Sequence, residues 1–89
     1  MGISTFANDA LSKGVEFSVS ASNKMNMPDR FVPVQLMIDI IRLGASMPDP
    51  QDSRAIMYYG EIVKSGTIYK FEVLYDITTN TIWHFQYYR

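Results

Sequence analysis

Residues 55–76 read AIMYYGEIVKSGTIYKFEVLYD, and this stretch decides the fold. Apolar and polar side chains alternate along both halves, and β-branched and aromatic residues are frequent, as is typical of strands. Ser65 and Gly66 separate the halves and suit a two-residue hairpin loop. The stretch therefore predicts an antiparallel hairpin with strands over 55–64 and 67–76.

The loop also predicts the register of the hairpin. Because the residues that flank a two-residue loop are partners, all other pairs follow from the numbering. The predicted pairs are Glu61 with Lys70, Tyr59 with Glu72, and Met57 with Leu74. Alternate residues then share a face of the sheet. The predicted core face carries Ile56, Tyr58, Ile62, Tyr69, Phe71, Val73 and Tyr75.

A third strand is predicted over 81–88, after a turn over 77–80. Matching apolar side chains to the core face puts Trp83, Phe85 and Tyr87 there. His84 then lies on the opposite face, near Glu72 or Leu74. That face gathers a set of polar and aromatic residues: Tyr59, Glu61, Lys70, Glu72, His84, Gln86 and Tyr88.

A largely buried helix is predicted over 33–43, where only three side chains are polar. Pro33 suits the first helical position and Gly44 the position after the last turn. The prolines in the following segment 47–53 predict a turn-rich loop. These elements together predict an α+β domain, with the helices first and an antiparallel meander packed on the long helix.

The N-terminal part of the sequence is less decisive. Residues 4–13 predict a short helix that ends before Gly14. Residues 15–21 alternate between apolar and polar side chains, which favours a strand. Ser18 or Ser20 would equally suit the cap of a helix that runs through Met25, and periodicity leaves both interpretations open.

Composition limits the classes of function. A chain of 89 residues, 47% hydrophobic, is expected to form one folded domain over 1–89. No apolar run is long enough for a membrane span, and residues 1–11 show no secretory signal, so a soluble protein is expected. The absence of cysteine and the single histidine argue against a metal site, and no cofactor is expected. The net charge of −1 gives no general attraction for nucleic acid, so a phosphate site would have to be a local patch.

The polar face predicts possible acid–base chemistry. Imidazole titrates near neutral pH, and a carboxylate can be its partner in proton transfer, so His84 and Glu72 are candidate catalytic residues. Lys70, Arg54 or Arg89 would stabilise charge on a phosphate. Tyrosines on this face would stack on unpaired bases. The same residue types are also typical of a solvated sheet face with cross-strand Glu–Lys pairs, and that interpretation stays open.

Two segments resemble a known group of domains. The segment FVPVQLMIDIIRLG at 31–44, followed by Pro48-Asp49-Pro50, and the segments YKFEVLYD at 69–76 and NTIWHFQY at 80–87 resemble the C-terminal toxin domains of bacterial contact-dependent growth inhibition and other polymorphic toxin proteins. The resemblance covers about residues 17–89. Such domains are similar to the barnase/EndoU/colicin/RelE group of metal-independent ribonucleases, in which N-terminal helices pack on a twisted antiparallel sheet.

The resemblance implies a function, a partner and a site. It implies an endoribonuclease that cleaves tRNA or other structured RNA by 2′-hydroxyl attack, and that a cognate immunity protein neutralises. Such a domain is released from a larger secreted bacterial toxin protein, acts in the cytoplasm of the target cell, and in some cases needs a host activating protein. His84 and Glu72 match the strand histidine and the glutamate of the group, with Lys70 beside them.

The chain also departs from the pattern of the group. Ser20 stands where related domains have a histidine, and Lys24 stands where they have an arginine. The expected RNA-binding residues are Tyr59, Arg54, Tyr88, Arg89 and Lys24. Two other hypotheses remain: a non-catalytic protein-binding module of the immunity or adaptor kind, and an inactive toxin variant.

Overall fold

The computed structural model describes Leu11 and residues 14–89. The described part is an α+β fold with two helices and one mixed five-stranded sheet. The elements, in chain order, are β1 (Glu16–Phe17), α1 (Val19–Met25), α2 (Val34–Leu43), β2 (Ala45–Pro48), β3 (Ile56–Lys64), β4 (Thr67–Asp76) and β5 (Thr81–Tyr88). The helix predicted over 4–13 lies outside the described residues, apart from Leu11.

The sheet has the strand order β1-β5-β4-β3-β2. The three strands of the predicted meander, β3 to β5, pair antiparallel as predicted. The unpredicted β2 adds an antiparallel edge strand, whereas β1 pairs with β5 in parallel. The prediction of a purely antiparallel sheet was therefore wrong at this edge. Neither described helix is long and apolar enough to cross a membrane.

The central hairpin has the predicted register. Lys64 pairs with Thr67, and the three predicted pairs on the polar face are all present. Ser65 and Gly66 have φ angles of 51° and 78°, so both adopt the left-handed conformation that a type I′ turn requires. Because this turn matches the twist of the strands, it fixes the register of the whole hairpin.

An irregularity in the pairing of β4 with β5 corrects one prediction. Tyr75 pairs with Ile82 and Leu74 with His84, so Trp83 is an extra residue in β5. Ile82 is fully buried opposite Tyr75, while Trp83 is only half-buried. The assignment of Trp83 to the core face was wrong, because a uniform two-residue period does not allow for a bulge.

Both interpretations of residues 15–21 are partly realised. Glu16 and Phe17 form the short β1, and α1 begins directly after it. The side chain of Ser18 accepts a hydrogen bond from Ala21 N at 3.1 Å and donates one to Trp83 O at 2.9 Å. Ser18 is thus the N-cap of α1 and ties the start of this helix to β5.

The long helix α2 packs its buried residues Met37, Ile38 and Ile41 against the core face of the sheet. It ends as predicted, with Gly44 as the C-cap. Gly44 has an ordinary φ of −76°, so the left-handed conformation does not explain this glycine. A Cβ there would lie 2.5 Å from Tyr59 O, so close packing of α2 on β3 is what requires it.

The segment after α2 contains an unexpected strand. Residues 45–48 form β2 at the edge of the sheet, so the loop predicted over 47–53 begins only at Asp49. Pro48 lies at the end of this edge strand and pairs with Ile56. Proline is tolerated there because one side of an edge strand makes no ladder hydrogen bonds.

Candidate acid–base site

His84 and Glu72 form a hydrogen-bonded pair on the open face of the sheet. The distance from His84 Nε2 to Glu72 Oε2 is 2.9 Å, and the two side chains are 33% and 13% exposed. The bulge in β5 brings them together, because it places His84 opposite Leu74, next to Glu72 on the same face. The predicted proximity of His84 to both residues is confirmed.

Glu72 is the centre of a small polar network. Gln86, its cross-strand partner, donates a second hydrogen bond to Oε2 over 3.1 Å. Burial, the charge of Glu72 and a hydrogen bond to it raise the pKa of the Tyr88 hydroxyl, with a further contribution from Tyr59. The carboxylate thus accepts from several donors at once, and these fix its position.

Lys24 approaches His84 from the other side. The Lys24 ammonium lies 3.4 Å from His84 Nδ1 and donates to Phe85 O over 2.9 Å. Since an ammonium group can only donate, the bonding pattern assigns Nδ1 as the acceptor and Nε2 as the nitrogen that carries the proton. In this arrangement the imidazole of His84 is held between Lys24 and Glu72.

The surroundings of Lys24 disfavour its charged form. Burial and the neighbouring charge of Arg30 lower its pKa, while Glu72 acts in the opposite direction. Lys24 therefore loses its proton more readily than an ordinary surface lysine. It is also a residue that α1, not the sheet, contributes to the site.

A cleft of about 400 Å³ opens over this network. Residues 49–51 of the loop after β2 form one wall, and the sheet face forms the other. The lining residues are Asp49, Pro50, Gln51, Met57, Glu72, Leu74, His84 and Gln86. The pair of His84 and Glu72 therefore lies in a concave, partly polar pocket, as is common for a binding or catalytic site.

Asp49 is a site residue that sequence reasoning missed. It is only 8% exposed and accepts hydrogen bonds from Gln51 N at 2.9 Å, from Ser53 N at 3.3 Å, and from the Ser53 hydroxyl. The bonds from Ser53 and Gln51 lower its pKa, and the charge of His84 adds a smaller contribution. The Asp-Pro-x-x-Ser pattern indicates such a turn, but nothing in the sequence indicates that the turn lies over His84.

The structure brings together four of the predicted residues: His84, Glu72, Tyr88 and Lys24. Tyr59 is opposite Glu72 on β3 and belongs to the same face. Lys70 lies two residues from Glu72 along β4, about 7 Å away by strand geometry, and is exposed. Of these residues Glu72 and His84 line the cleft itself, and the others are their neighbours.

The other two predicted cations have different surroundings. Arg54 donates from Nε and Nη2 to Asp76 Oδ2, over 3.1 and 2.8 Å, and its guanidinium lies 5.7 Å from the centre of the Trp83 ring. Arg89 lies over the ring of Tyr69, a residue of the core face, at 5.9 Å. Neither residue lines the cleft.

Arg54 is bound away from the cleft by the carboxylate of Asp76. The side chain of Asp76 is 1% exposed and also accepts from Thr79 Oγ1 at 2.7 Å and from Thr78 N at 3.1 Å. Burial acts to raise the pKa of Asp76, but the hydrogen bonds from Arg54, Thr79 and Thr78 outweigh it and lower the pKa. The carboxylate thus stabilises the turn between β4 and β5, and Arg54 balances its charge.

The chain was compared with protein-family models, with curated proteins and with solved structures, and none of them matches it. Among the described residues, no group of three or more His, Asp or Glu side chains is arranged to hold a metal ion.

Proposed function

We propose that this domain is a toxin-type endoribonuclease that cleaves RNA by 2′-hydroxyl attack. The observation that carries the proposal is the 2.9 Å pair of His84 and Glu72 in a cleft on the open sheet face. A carboxylate and an imidazole are the two groups that such a reaction needs, one to take a proton and one to give it. The resemblance to polymorphic toxin domains supports the same reaction.

In the proposed mechanism Glu72 accepts the proton of the 2′-hydroxyl as its oxygen attacks phosphorus. The protonated form of His84 gives a proton to the 5′-oxygen as the P–O5′ bond breaks, which leaves a 2′,3′-cyclic phosphate. Lys24, which is 3.4 Å from His84 Nδ1, and Lys70, which is two residues from Glu72 on β4, would stabilise the charge on the pentavalent phosphate. Substrate displaces Lys24 from His84 Nδ1, which frees this nitrogen for the proton that His84 gives, while Glu72 faces the 2′-hydroxyl.

The proposed function also assigns a role to two tyrosines and implies a protein partner. Tyr59 and Tyr88 flank Glu72 and would stack on unpaired bases of tRNA or another structured RNA. A cognate immunity protein would neutralise the domain, which a larger secreted bacterial protein would deliver to the cytoplasm of a target cell.

The test is incubation of purified protein with total bacterial RNA in the presence of EDTA, followed by mapping of the fragment ends. We expect discrete fragments that end in 2′,3′-cyclic phosphate. Fragments that end in a 3′-hydroxyl, or RNA that stays intact, would contradict the proposal. A Ser20→His variant run in parallel identifies an inactive toxin, because only the variant would then cleave. Ser20 is one helical turn before Lys24, so this side chain shares the face of α1 that reaches His84.

One observation favours a second candidate, a protein-binding module. Val63 and Ile68 are partners across the hairpin, lie on the same open face, and are 66% and 63% exposed. Exposed apolar pairs of this kind are frequent in protein interfaces. Tight binding of a protein partner, together with intact RNA and unimpaired growth on expression in a bacterium, would favour this candidate.

A further inference from the structure

A second cavity, of about 320 Å³, lies beside the cleft along one edge of β5. Among the described residues β1 pairs only with Thr81 and Ile82, so the rest of this edge has no neighbouring strand. The turn after α1 and the end of β5 form the walls. The lining residues are Lys24, Asp29, Arg30, Phe85, Gln86 and Tyr87.

The cavity has an excess of positive charge. Lys24 and Arg30 contribute two cations and Asp29 one carboxylate, so the lining carries one more positive than negative charge (2 − 1), in a chain of net charge −1. The ion pairs within the described part of the chain are those of Arg54 with Asp76 and of His84 with Glu72. Lys24 and Arg30 therefore belong to no ion pair there.

Two unpaired cations at one cavity repel each other. This repulsion contributes to the low pKa of Lys24 described above. An anion between the two side chains would relieve it, and phosphate is the anion that lysine and arginine most often bind in nucleic-acid complexes.

The cavity adjoins the acid–base site. Gln86 lines both the cavity and the cleft, and Lys24 Nζ is only 3.4 Å from His84 Nδ1. A chain of phosphates that enters the cleft can therefore continue over β5 into the cavity.

The geometry points to a second phosphate site, in which Lys24 and Arg30 bind the backbone phosphate next to the scissile one. This inference rests on the proposed function, since that function defines the scissile phosphate. It assigns the substrate as an RNA strand that crosses β5, and it excludes a mononucleotide. It also gives Lys24 a phosphate ligand to bind when a substrate displaces it from His84.

The test uses 2′-deoxydinucleotides, which bind but lack the attacking hydroxyl. Three probes are compared by NMR titration at low salt: one without a terminal phosphate, one with a 5′-phosphate and one with a 3′-phosphate. We expect one terminal phosphate to lower the Kd about tenfold, the effect of one charge-assisted phosphate contact. Whether the 5′-phosphate or the 3′-phosphate lowers the Kd shows in which direction the RNA strand crosses β5. An equal Kd for all three probes would overturn the inference.

Substitutions assign the gain to the cavity. Arg30→Met is the main variant because Arg30 is exposed and does not contact His84, and it is expected to abolish the phosphate gain while leaving the Kd of the unphosphorylated probe unchanged. Arg30→Lys is expected to keep most of the gain. Arg42→Gln removes one positive charge from α2, on the core side of the sheet, and is expected to keep all of it. A full phosphate gain in Arg30→Met would overturn the inference.

Two further arms separate the possible failures. Inorganic phosphate alone is expected to bind more weakly than the phosphorylated dinucleotide, and equal binding would identify a site for free anions and overturn the assignment to a strand. The ribonucleotide versions of the probes test cleavage. Tighter binding of the phosphorylated probe without cleavage would contradict the proposed function and support the second site. Cleavage without tighter binding of the phosphorylated probe would support the proposed function and overturn the second site.

Discussion

His84 has both ring nitrogens occupied, Nε2 by Glu72 at 2.9 Å and Nδ1 by Lys24 at 3.4 Å. In the resting arrangement neither nitrogen is available to a substrate. Catalysis therefore requires that an incoming phosphodiester displaces one partner. Lys24 is the more easily displaced of the two, because it retains its bond to Phe85 O and would gain a phosphate oxygen. The resting contacts thus hold the imidazole in place until substrate arrives.

Asp76 is one of the carboxylates that contribute to stability at acidic pH. Its pKa is lowered in the folded protein, so the unfolded chain takes up a proton at a higher pH than the folded one. The stabilisation is complete above the ordinary aspartate pKa and is lost as the pH falls through the lower folded value. This is the sign expected for a buried carboxylate that is held by Arg54 and two threonines.

We predict that Asp76→Asn lowers the free energy of unfolding by about 3 kcal/mol at pH 7. The amide would turn a donor toward Arg54 and leave a buried polar group without a partner. The difference from the wild type should begin to narrow below about pH 4, where Asp76 of the unfolded wild-type chain takes up a proton, and should keep narrowing as the pH falls through the lower pKa of the folded state. Urea unfolding across this pH range measures both effects, and a difference that stays constant down to pH 2 would contradict the account.

At the scale of the elements, the bulge in β5 decides which face carries the histidine. If the pairing of Asp76 with Thr81 continued without the extra residue, His84 would lie opposite Val73 and point into the core. The additional residue Trp83 shifts the rest of the strand by one position and moves His84 to the open face. The site therefore depends on an irregularity in the sheet.

The contact of α2 with β3 depends on glycines on both elements. A Cβ on Gly44 would lie 2.5 and 2.6 Å from the backbone oxygens of Tyr59 and Ile40, which cannot move without distorting the sheet or the helix. A Cβ on Gly60 would instead meet the end of the Ile40 side chain at 2.2 Å. That methyl group can rotate away.

We predict that Gly44→Ala destabilises the protein by about 2 kcal/mol, whereas Gly60→Ala changes stability by less than about 1 kcal/mol. The two substitutions add the same methyl group at the same interface. The difference in stability between them therefore reports whether the added methyl group meets rigid backbone atoms, as at Gly44, or a movable side chain, as at Gly60. Thermal unfolding is a suitable measurement, since 1 kcal/mol corresponds to about 4–8 °C in a domain of this size. Equal shifts in Tm for the two variants would contradict this explanation.

The sequence predicts well those elements whose structure depends only on residues that are close in the chain. The loop at Ser65 and Gly66 specifies its turn type, so the register of β3 and β4 follows from counting residues. The strand β2 was missed because its proline, Pro48, indicates a loop unless the strand is known to lie at the edge of the sheet, where proline is tolerated. Trp83 was misplaced because a bulge interrupts the alternation on which the prediction depends. In each case the missing information is the arrangement of neighbouring strands.

At the scale of the whole molecule, the site joins parts that are distant in the chain. Glu72 and His84 were predicted to be near each other because β4 and β5 are consecutive strands and matching their apolar side chains to the core face puts both residues on the open face. Lys24 is 60 residues from His84 in sequence, and Asp49 is on a loop that folds back over the sheet, so no local pattern could place either. The low net charge, which argues against nucleic-acid binding, is compatible with a site whose cations converge at one edge of β5.

If His84 and Glu72 catalyse RNA cleavage, the variant His84→Ala must cleave RNA much more slowly than the wild type. The purified variant should retain the fold, since the His84 side chain is one-third exposed and belongs to no core cluster. Loss of one proton-transfer group typically costs a factor of 10²–10⁴, so we predict a rate at least about a hundred times lower than that of the wild type on the same RNA. Cleavage by His84→Ala at the wild-type rate would contradict the account.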